Sequence, residues 1–414
     1  LYKLTMMQAV LHRFPAVDVE YRFHCRTHAA DLRVRAAQVR QEIADLCRLR
    51  FRPHEIEYLR GLRYLKKDFI EILRLFQLQP DHVEVTESEG RLDIVIRGPW
   101  LHTILFEVPV LAIVSELQAA SGDVAAQRAE GEVRLVAKLA RLRALERADG
   151  FRIAEFGTRR RFARDWQRHV LERFVAEAPQ RLAGTSNVLW AMQLGLLPIG
   201  TMGHEFLQAC QGVGPRLVDS QRFALEAWAQ EYRGDLGIVL ADVINLDAFL
   251  RDFDLYFCKL FDGVRHDSGD PFAWGDRLLE HYRRLRVDPL TKTLVFSDGL
   301  DLDKALRLYA HFHERTRVGF GIGTHLTNDM GVALPDMTIK MTRCNGQAVA
   351  KISDDPAKTL CTDPGYLAYL KKVFAVDAAP SEGSEQLTSS LRRRGSSDFN
   401  PAESKSPGFP LPRE

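Results

Sequence analysis

From Phe151 onward, short apolar runs recur, each closed by a Gly/Ser/Thr/Asp-rich turn and followed by a stretch of helical spacing. They are Arg152–Phe156, Arg181–Gly184, Leu197–Gly200, Gly237–Ala241, Phe257–Val264, Thr293–Phe296 and Val318–Gly321. Such a β-turn-α rhythm joins its strands as a parallel sheet covered by helices. Seven or eight units within about 180 residues fit a barrel better than an open sheet. Function in such an architecture sits in the turns that follow the strands.

The flanks have a different pattern. Val17, Val19, Tyr21, Phe23 and Cys25 alternate with Asp18, Glu20, Arg22, His24 and Arg26, the period of a half-buried strand with a polar second face. Helical spacing over Asp68–Phe76 stops before Pro80, and Leu92, Ile94 and Ile96 alternate again. Met337, Ile339 and Met341 alternate with Thr338, Lys340 and Thr342 ahead of Asn345-Gly346, a strong hairpin signal. The expected organisation is an α+β domain over 1–120, regained by 335–376, around an α/β barrel over 121–334. Residues 377–414 are rich in Pro and Ser with few apolar residues to bury, and are expected to be a disordered tail.

With 57 Lys+Arg against 55 Asp+Glu, the net charge of +2 gives no global field for nucleic acid or an anionic membrane, so anionic ligands must be held by local clusters. The 6 cysteines are scattered, without CxxC or zinc spacing, and read as reduced thiols. The most apolar stretch, Leu101–Leu117, is interrupted by His102, Glu107, Pro109 and Ser115, and is expected to fall short of a membrane span. With no charged-then-apolar pattern at Leu1, a soluble cytoplasmic protein is expected.

Each turn of the cadence admits a plain reading and a chemical one. Glu155-Phe-Gly-Thr-Arg-Arg-Arg161 is either a strand end with solvated arginines or a phosphate clamp. Gly184-Thr-Ser-Asn187 is a helix start whose free N–H groups also suit an anion. Gly200-Thr-Met-Gly-His-Glu205 sets His204 between small residues and a carboxylate able to orient the imidazole, with no second His to complete HExxH. Arg265-His-Asp-Ser-Gly-Asp-Pro271 is the most polar turn: Arg265 can grip a carboxylate in bidentate fashion and Asp267 can accept from sugar hydroxyls. Ser297-Asp-Gly299 and Phe320-Gly-Ile-Gly-Thr324 add an acidic turn and a loop where backbone N–H groups can approach a phosphate. Together they suit a phosphosugar, and with neither GxxxxGK[ST] nor GxGxxG present, any ATP is bound without a P-loop.

The strings YKLTMMQAV, YLKKDFIEILRLFQL, EFGTRRRF, GTSNVLWAMQLGLLPIGTMGHEFLQA, RHDSGDPFAWGDRLLEHY, KTLVFSDGLDLDKAL, VGFGIGTHLTND and IKMTRCNGQAVAKISD resemble, in this order, the bacterial nicotinate phosphoribosyltransferase family over roughly residues 1–375. The resemblance implies an irregular type II phosphoribosyltransferase α/β barrel packed against an α+β domain formed by both chain ends, and a homodimer with shared sites. It also implies ATP-driven transfer of phosphoribose from 5-phosphoribosyl-1-pyrophosphate to nicotinate, with Mg²⁺, and an energy-coupling phosphohistidine at His204. Phe156 would stack on the pyridine ring and Tyr2 would face it from the partner. Arg159 would bind phosphate, and Arg26, Thr338 and Lys340 would meet the pyrophosphate from the partner. Arg265 would take the nicotinate carboxylate and Asp267 the ribose, while Ser297, Gly299, Gly323 and Thr324 would cradle the 5-phosphate. Gly203 stands where bacterial relatives usually carry Ala.

Three other readings compete. A nicotinamide-specific relative carries an aspartate where this chain has Ser186, a charge that would repel a substrate carboxylate. A phosphosugar lyase or isomerase would need a Schiff-base lysine, for which Lys259 is the candidate within the predicted strands. A catalytically silent binding protein would have lost chemical positions, yet Phe156, Arg159, His204, Arg265, Asp267 and Lys340 are all present.

Overall fold

Among the described residues, eleven strands form two sheets. In chain order they are β1 (Asp18–Cys25), β2 (Val83–Ser88), β3 (Arg91–Pro99), β4 (Ile153–Glu155), β5 (Leu182–Thr185), β6 (Ile238–Leu240), β7 (Gly263–His266), β8 (Thr293–Phe296), β9 (Arg317–Ile322), β10 (Met337–Cys344) and β11 (Gln347–Ala348). The computed structural model describes residues 1–25, 34–88, 91–145 and 150–376; Arg26 and the Pro/Ser-rich segment from 377 lie outside the described residues. Leu1–Phe374 make one compact unit.

The antiparallel sheet runs β11-β10-β1-β3-β2, so strands from both chain ends interleave. Alternation sets its faces: Val19, Tyr21, Phe23, Met337, Ile339 and Met341 are buried while Asp18 and Arg343 point outward. The β10–β11 turn places Asn345 at φ 48° and Gly346 at φ 77°, the left-handed pair a two-residue hairpin requires. The buried face meets the helix Glu107–Ala120 and the helix His204–Val213, where Gln208 donates to the Met341 carbonyl at 3.2 Å.

The parallel sheet runs β5-β4-β9-β8-β7-β6. The predicted strand over Leu197–Gly200 is not regular, but it closes the gap between the two edges. Thr185 and Pro198 form an isolated parallel bridge, and Thr201 donates through its hydroxyl to the Ile238 carbonyl at 2.8 Å. The result is an irregular barrel. One predicted strand is corrected: within Phe257–Val264, the first half belongs to a helix, Leu255–Leu260, and only Gly263 onward is strand. A mostly apolar run does not distinguish a buried helix from a buried strand, and here Asp254 decides it by capping the N–H groups of Tyr256 and Phe257. Lys259 is therefore exposed on a helix rather than placed in the barrel, which removes the Schiff-base candidate.

The apolar stretch needs a second correction. By length and mean hydropathy (1.5 over an 18-residue window), Trp100–Ala120 does qualify to cross a membrane. In the fold it is two helices, Trp100–Thr103 and Glu107–Ala120, with Trp100, Ile104, Phe106, Val110, Leu111 and Val114 buried, and it serves as core between the sheets.

Candidate active site

The C-terminal ends of the barrel strands open into one cavity of about 1200 Å³. At the end of β4, the buried Glu155 carboxylate accepts from the Thr185 hydroxyl at 2.5 Å and from the Gly157 backbone N–H. Those bonds turn the chain so that Phe156, anchored by its N–H on the Ile322 carbonyl at 2.8 Å, sends its ring over the bare backbone of β9. A Cβ on Gly321 would stand 2.4 Å from the ring carbons, so this glycine makes room for Phe156. Ser186, one residue beyond β5, donates its N–H to the Glu155 carbonyl at 2.8 Å and so lies beside the aromatic.

Across the cavity, β7 sits between β6 and β8 and delivers Arg265 and, just past its end, Asp267. Arg265 donates one guanidinium N–H to the Met202 carbonyl at 3.1 Å, while its Nε is buried without a partner among the described residues, a donor suited to an anionic ligand. Asp267 accepts from Ser297 Oγ at 3.1 Å, and Lys358 donates to its carbonyl at 3.1 Å. Burial would raise the Asp267 carboxyl, but His204 and the cations Lys351 and Arg265 outweigh it and hold it at about 2. Gly299 at φ 53° turns the loop after β8, and Gly323 precedes the short helix that begins at Thr324.

His204 is the first residue of its helix. Its Nε2 meets Asp242 Oδ1 at 2.8 Å and stands 3.6 Å from Asp267 Oδ2. Asp242 is saturated: its second oxygen accepts from Ser268 Oγ at 2.7 Å and pairs with Lys351 Nζ at 2.6 Å. Burial, and then Lys351, push the His204 imidazole below its usual range against the pull of Asp242. In the neutral ring, a carboxylate on Nε2 holds the proton there and leaves Nδ1 with the lone pair. The sequence pointed to Glu205 as the carboxylate beside the histidine. Successive helical residues diverge by about 100°, so Glu205 turns away to Lys3 at 2.6 Å, and Asp242 orients the ring instead.

Of the predicted site residues within the described segments, Tyr2, Phe156, Arg159, Ser186, His204, Arg265, Asp267, Ser297, Gly299, Gly323, Thr324, Thr338 and Lys340 all border this cavity. Tyr2, Thr338 and Lys340, assigned by resemblance to a partner's site, border the cavity of their own chain. The Tyr2 ring lies against Gly203, where an added Cβ would sit 3.3 Å from it. Sequence reasoning missed Asp242, Lys351, Lys3 and Glu107. Asp242 was within reach, being an acidic residue just past a strand end; the others owe their place to long-range packing.

Residues 151–378 match the Nicotinate phosphoribosyltransferase (NAPRTase) family and residues 1–115 match its N-terminal domain. The nicotinate phosphoribosyltransferases of Ralstonia nicotianae and Cupriavidus necator are 56% and 57% identical over 379 and 382 residues, covering 91% and 92% of this chain and 97% of each relative. The solved nicotinate phosphoribosyltransferase of Vibrio cholerae superposes with a TM-score of 0.85 at 41% identity over 94% of both chains. That of Porphyromonas gingivalis gives 0.83 at 31% identity, over 91% of this chain and 97% of its own.

Proposed function

The chain belongs to the nicotinate phosphoribosyltransferase family, and from that premise we propose that it joins nicotinate to the ribose of 5-phosphoribosyl-1-pyrophosphate, coupled to ATP hydrolysis through phospho-His204. The observation that carries the reading is the convergence of an aromatic (Phe156), a carboxylate-binding arginine (Arg265), a hydroxyl-accepting aspartate (Asp267) and basic residues (Arg159, Lys340) on one cavity.

In this reading the pyridine nitrogen attacks ribose C1 while the C1–O bond to pyrophosphate breaks. Phe156 stacks on the ring and Arg265 grips the carboxylate, so the nitrogen is aimed before reaction. Asp267, ionised at neutral pH, accepts from the ribose hydroxyls and faces the positive charge that develops on the sugar. Arg159, Thr338 and Lys340 receive the pyrophosphate, and the loops at Ser297–Gly299 and Gly323–Thr324 receive the 5-phosphate. Ligand atoms of His204, Asp242 and Asp267 lie within 4.8 Å of one another. With Asp242 already occupied by His204, Ser268 and Lys351, Asp267 is the carboxylate left for Mg²⁺, which would supply charge neutralisation of the pyrophosphate. For the coupled step, His204 Nδ1 attacks the γ-phosphorus of ATP, the bond to ADP breaks, and water later releases phosphate.

Incubation with nicotinate, phosphoribosyl pyrophosphate and Mg²⁺, with and without ATP, tests the reading. Nicotinate mononucleotide should form and ATP should increase its yield; nicotinamide accepted equally well would overturn the substrate. A homodimer with shared sites belongs to the same proposal, motivated by site residues that fall on two separate sheets. Mixing inactive Arg265→Ala with inactive Lys340→Ala protein should restore part of the activity after subunit exchange. No recovery would favour a site completed within one chain.

A further inference from the structure

Lys3, on the first helix (Tyr2–Arg13), is a lysine with only 7% of its side chain exposed. Its Nζ lies 2.5 Å from Glu107 Oε2 and 2.6 Å from Glu205 Oε2, with the rings of Tyr2 and Tyr21 5.6 and 5.7 Å away. The second oxygen of Glu107 stands 3.4 Å from Arg159 Nη1. Those distances decide which cation holds the carboxylate. The ammonium makes a short charge-assisted contact, whereas the guanidinium sits beyond the roughly 2.7–2.9 Å of a strong one. Lys340 also acts on Glu107, after Lys3 and Arg159. Arg159 keeps 41% of its side chain exposed on the cavity side. Were Lys3 absent, a buried carboxylate lacking its ammonium would draw the guanidinium onto itself, since an uncompensated charge of this kind is strongly unfavourable.

We propose that Lys3 is a positioning residue which, by holding the Glu107 carboxylate, keeps the Arg159 guanidinium available to the phosphates of the phosphoribosyl donor. This rests on the assignment of Arg159 to that donor. The same helix secures the loop that carries His204: Lys3 bonds Glu205, Thr5 donates its hydroxyl to the Thr201 carbonyl at 2.6 Å, and the Gly203 N–H points at Met6 Sδ at 3.1 Å. One turn of helix therefore sets both the phosphate-facing arginine and the histidine turn.

The test compares Lys3→Met, Lys3→Met/Glu107→Gln, Lys3→Met/Glu205→Gln and Arg159→Ala by KM for phosphoribosyl pyrophosphate, kcat and thermal unfolding. Lys3→Met should raise that KM about tenfold with a smaller change in kcat, because binding rather than turnover loses its arginine. Adding Glu107→Gln should bring KM back to within about threefold of the parent, since no carboxylate is left to compete for Arg159. Adding Glu205→Gln instead leaves the competing carboxylate while relieving the repulsion that threatens folding, so its KM should stay high in a folded protein. A KM unchanged in Lys3→Met, or one that Glu107→Gln does not rescue, overturns the role of Lys3 alone if Arg159→Ala raises KM. An Arg159→Ala protein with the parent KM overturns the Arg159 assignment and this proposal with it.

Discussion

Replacing Asp242 by Asn separates its structural role from its chemical one. Asp242 and Lys351 each expose only 2% of their side chains, and the ion pair between them is 2.6 Å long. At an effective dielectric constant near 20, unit charges at that distance attract by about 6 kcal/mol, partly offset by the several kcal/mol needed to bury a carboxylate. Asn keeps the shape and removes the charge, so Lys351 is left buried and unpaired. We expect a loss of about 3–5 kcal/mol, the usual penalty for removing one partner of a buried pair. Urea unfolding followed by tryptophan fluorescence measures it. The double variant Asp242→Asn/Lys351→Met removes both charges and should return to within about 1–2 kcal/mol of the parent. ATP-coupled turnover should fall in both variants, because His204 Nε2 loses its carboxylate in each. A single variant costing less than about 1 kcal/mol, or a double no more stable than the single, would refute the account of a charge pair held in a dry interior.

Four further outcomes follow from the same geometry. His204→Asn should abolish ATP hydrolysis and labelling by γ-phosphate while leaving slow ATP-independent transfer, since in the proposed mechanism Phe156 and Arg265 align the ring without the histidine; radiolabel on another residue would remove His204 from the coupled step. Ser186→Asp should move the ratio of kcat/KM values from nicotinate towards nicotinamide, because it sets a negative charge beside Phe156, and an unchanged ratio would remove Ser186 from recognition. Gly321→Ala should raise KM for nicotinate more than it lowers thermal stability, as its Cβ, 2.4 Å from the Phe156 ring carbons, displaces the stacking ring; a KM equal to the parent's would show that Phe156 does not bind the pyridine. Burial, with Lys3 opposing, raises the Glu205 carboxyl from 4.5 to about 7, so the folded state holds this proton more tightly than the unfolded chain and stability is lost as pH rises from 4.5 through 7. Glu205→Gln should remove that loss, on the order of 1–3 kcal/mol between pH 5 and pH 8, and an identical pH profile in parent and variant would count against a titrating Glu205.

Alternation along Asp18–Cys25 and Met337–Cys344 made both strands legible, because period 2 is a local property of a half-buried strand. The β-turn-α cadence likewise placed β4, β5, β6, β8 and β9 within a residue or two. The helix start at Asn187 was written in a residue whose side chain bonds a neighbouring N–H. Where the pattern was ambiguous, the structure decided: Phe257–Val264 is mostly apolar, broken by Lys259 and Asp262, and a cap by Asp254 made half of it helix. Leu197–Gly200 reads as a strand but pairs at one position, because its task is to close the barrel between β5 and β6.

The site divides along the same line. Sequence by itself picked out turns that come to border the cavity, since Phe156, Arg159, His204, Arg265 and Asp267 each follow a predicted strand or lie in a polar turn. Only the tertiary structure decided which charge meets which. The carboxylate next in sequence to His204 points elsewhere, and Asp242, 38 residues away, takes the imidazole. Lys3 reaches Glu205 across 202 positions to share one ammonium between two buried carboxylates. Side-chain direction is fixed by helix geometry and local backbone, but the partner of a buried charge is fixed by whichever distant residue the fold delivers within about 3 Å, because an unpaired charge there costs too much to persist.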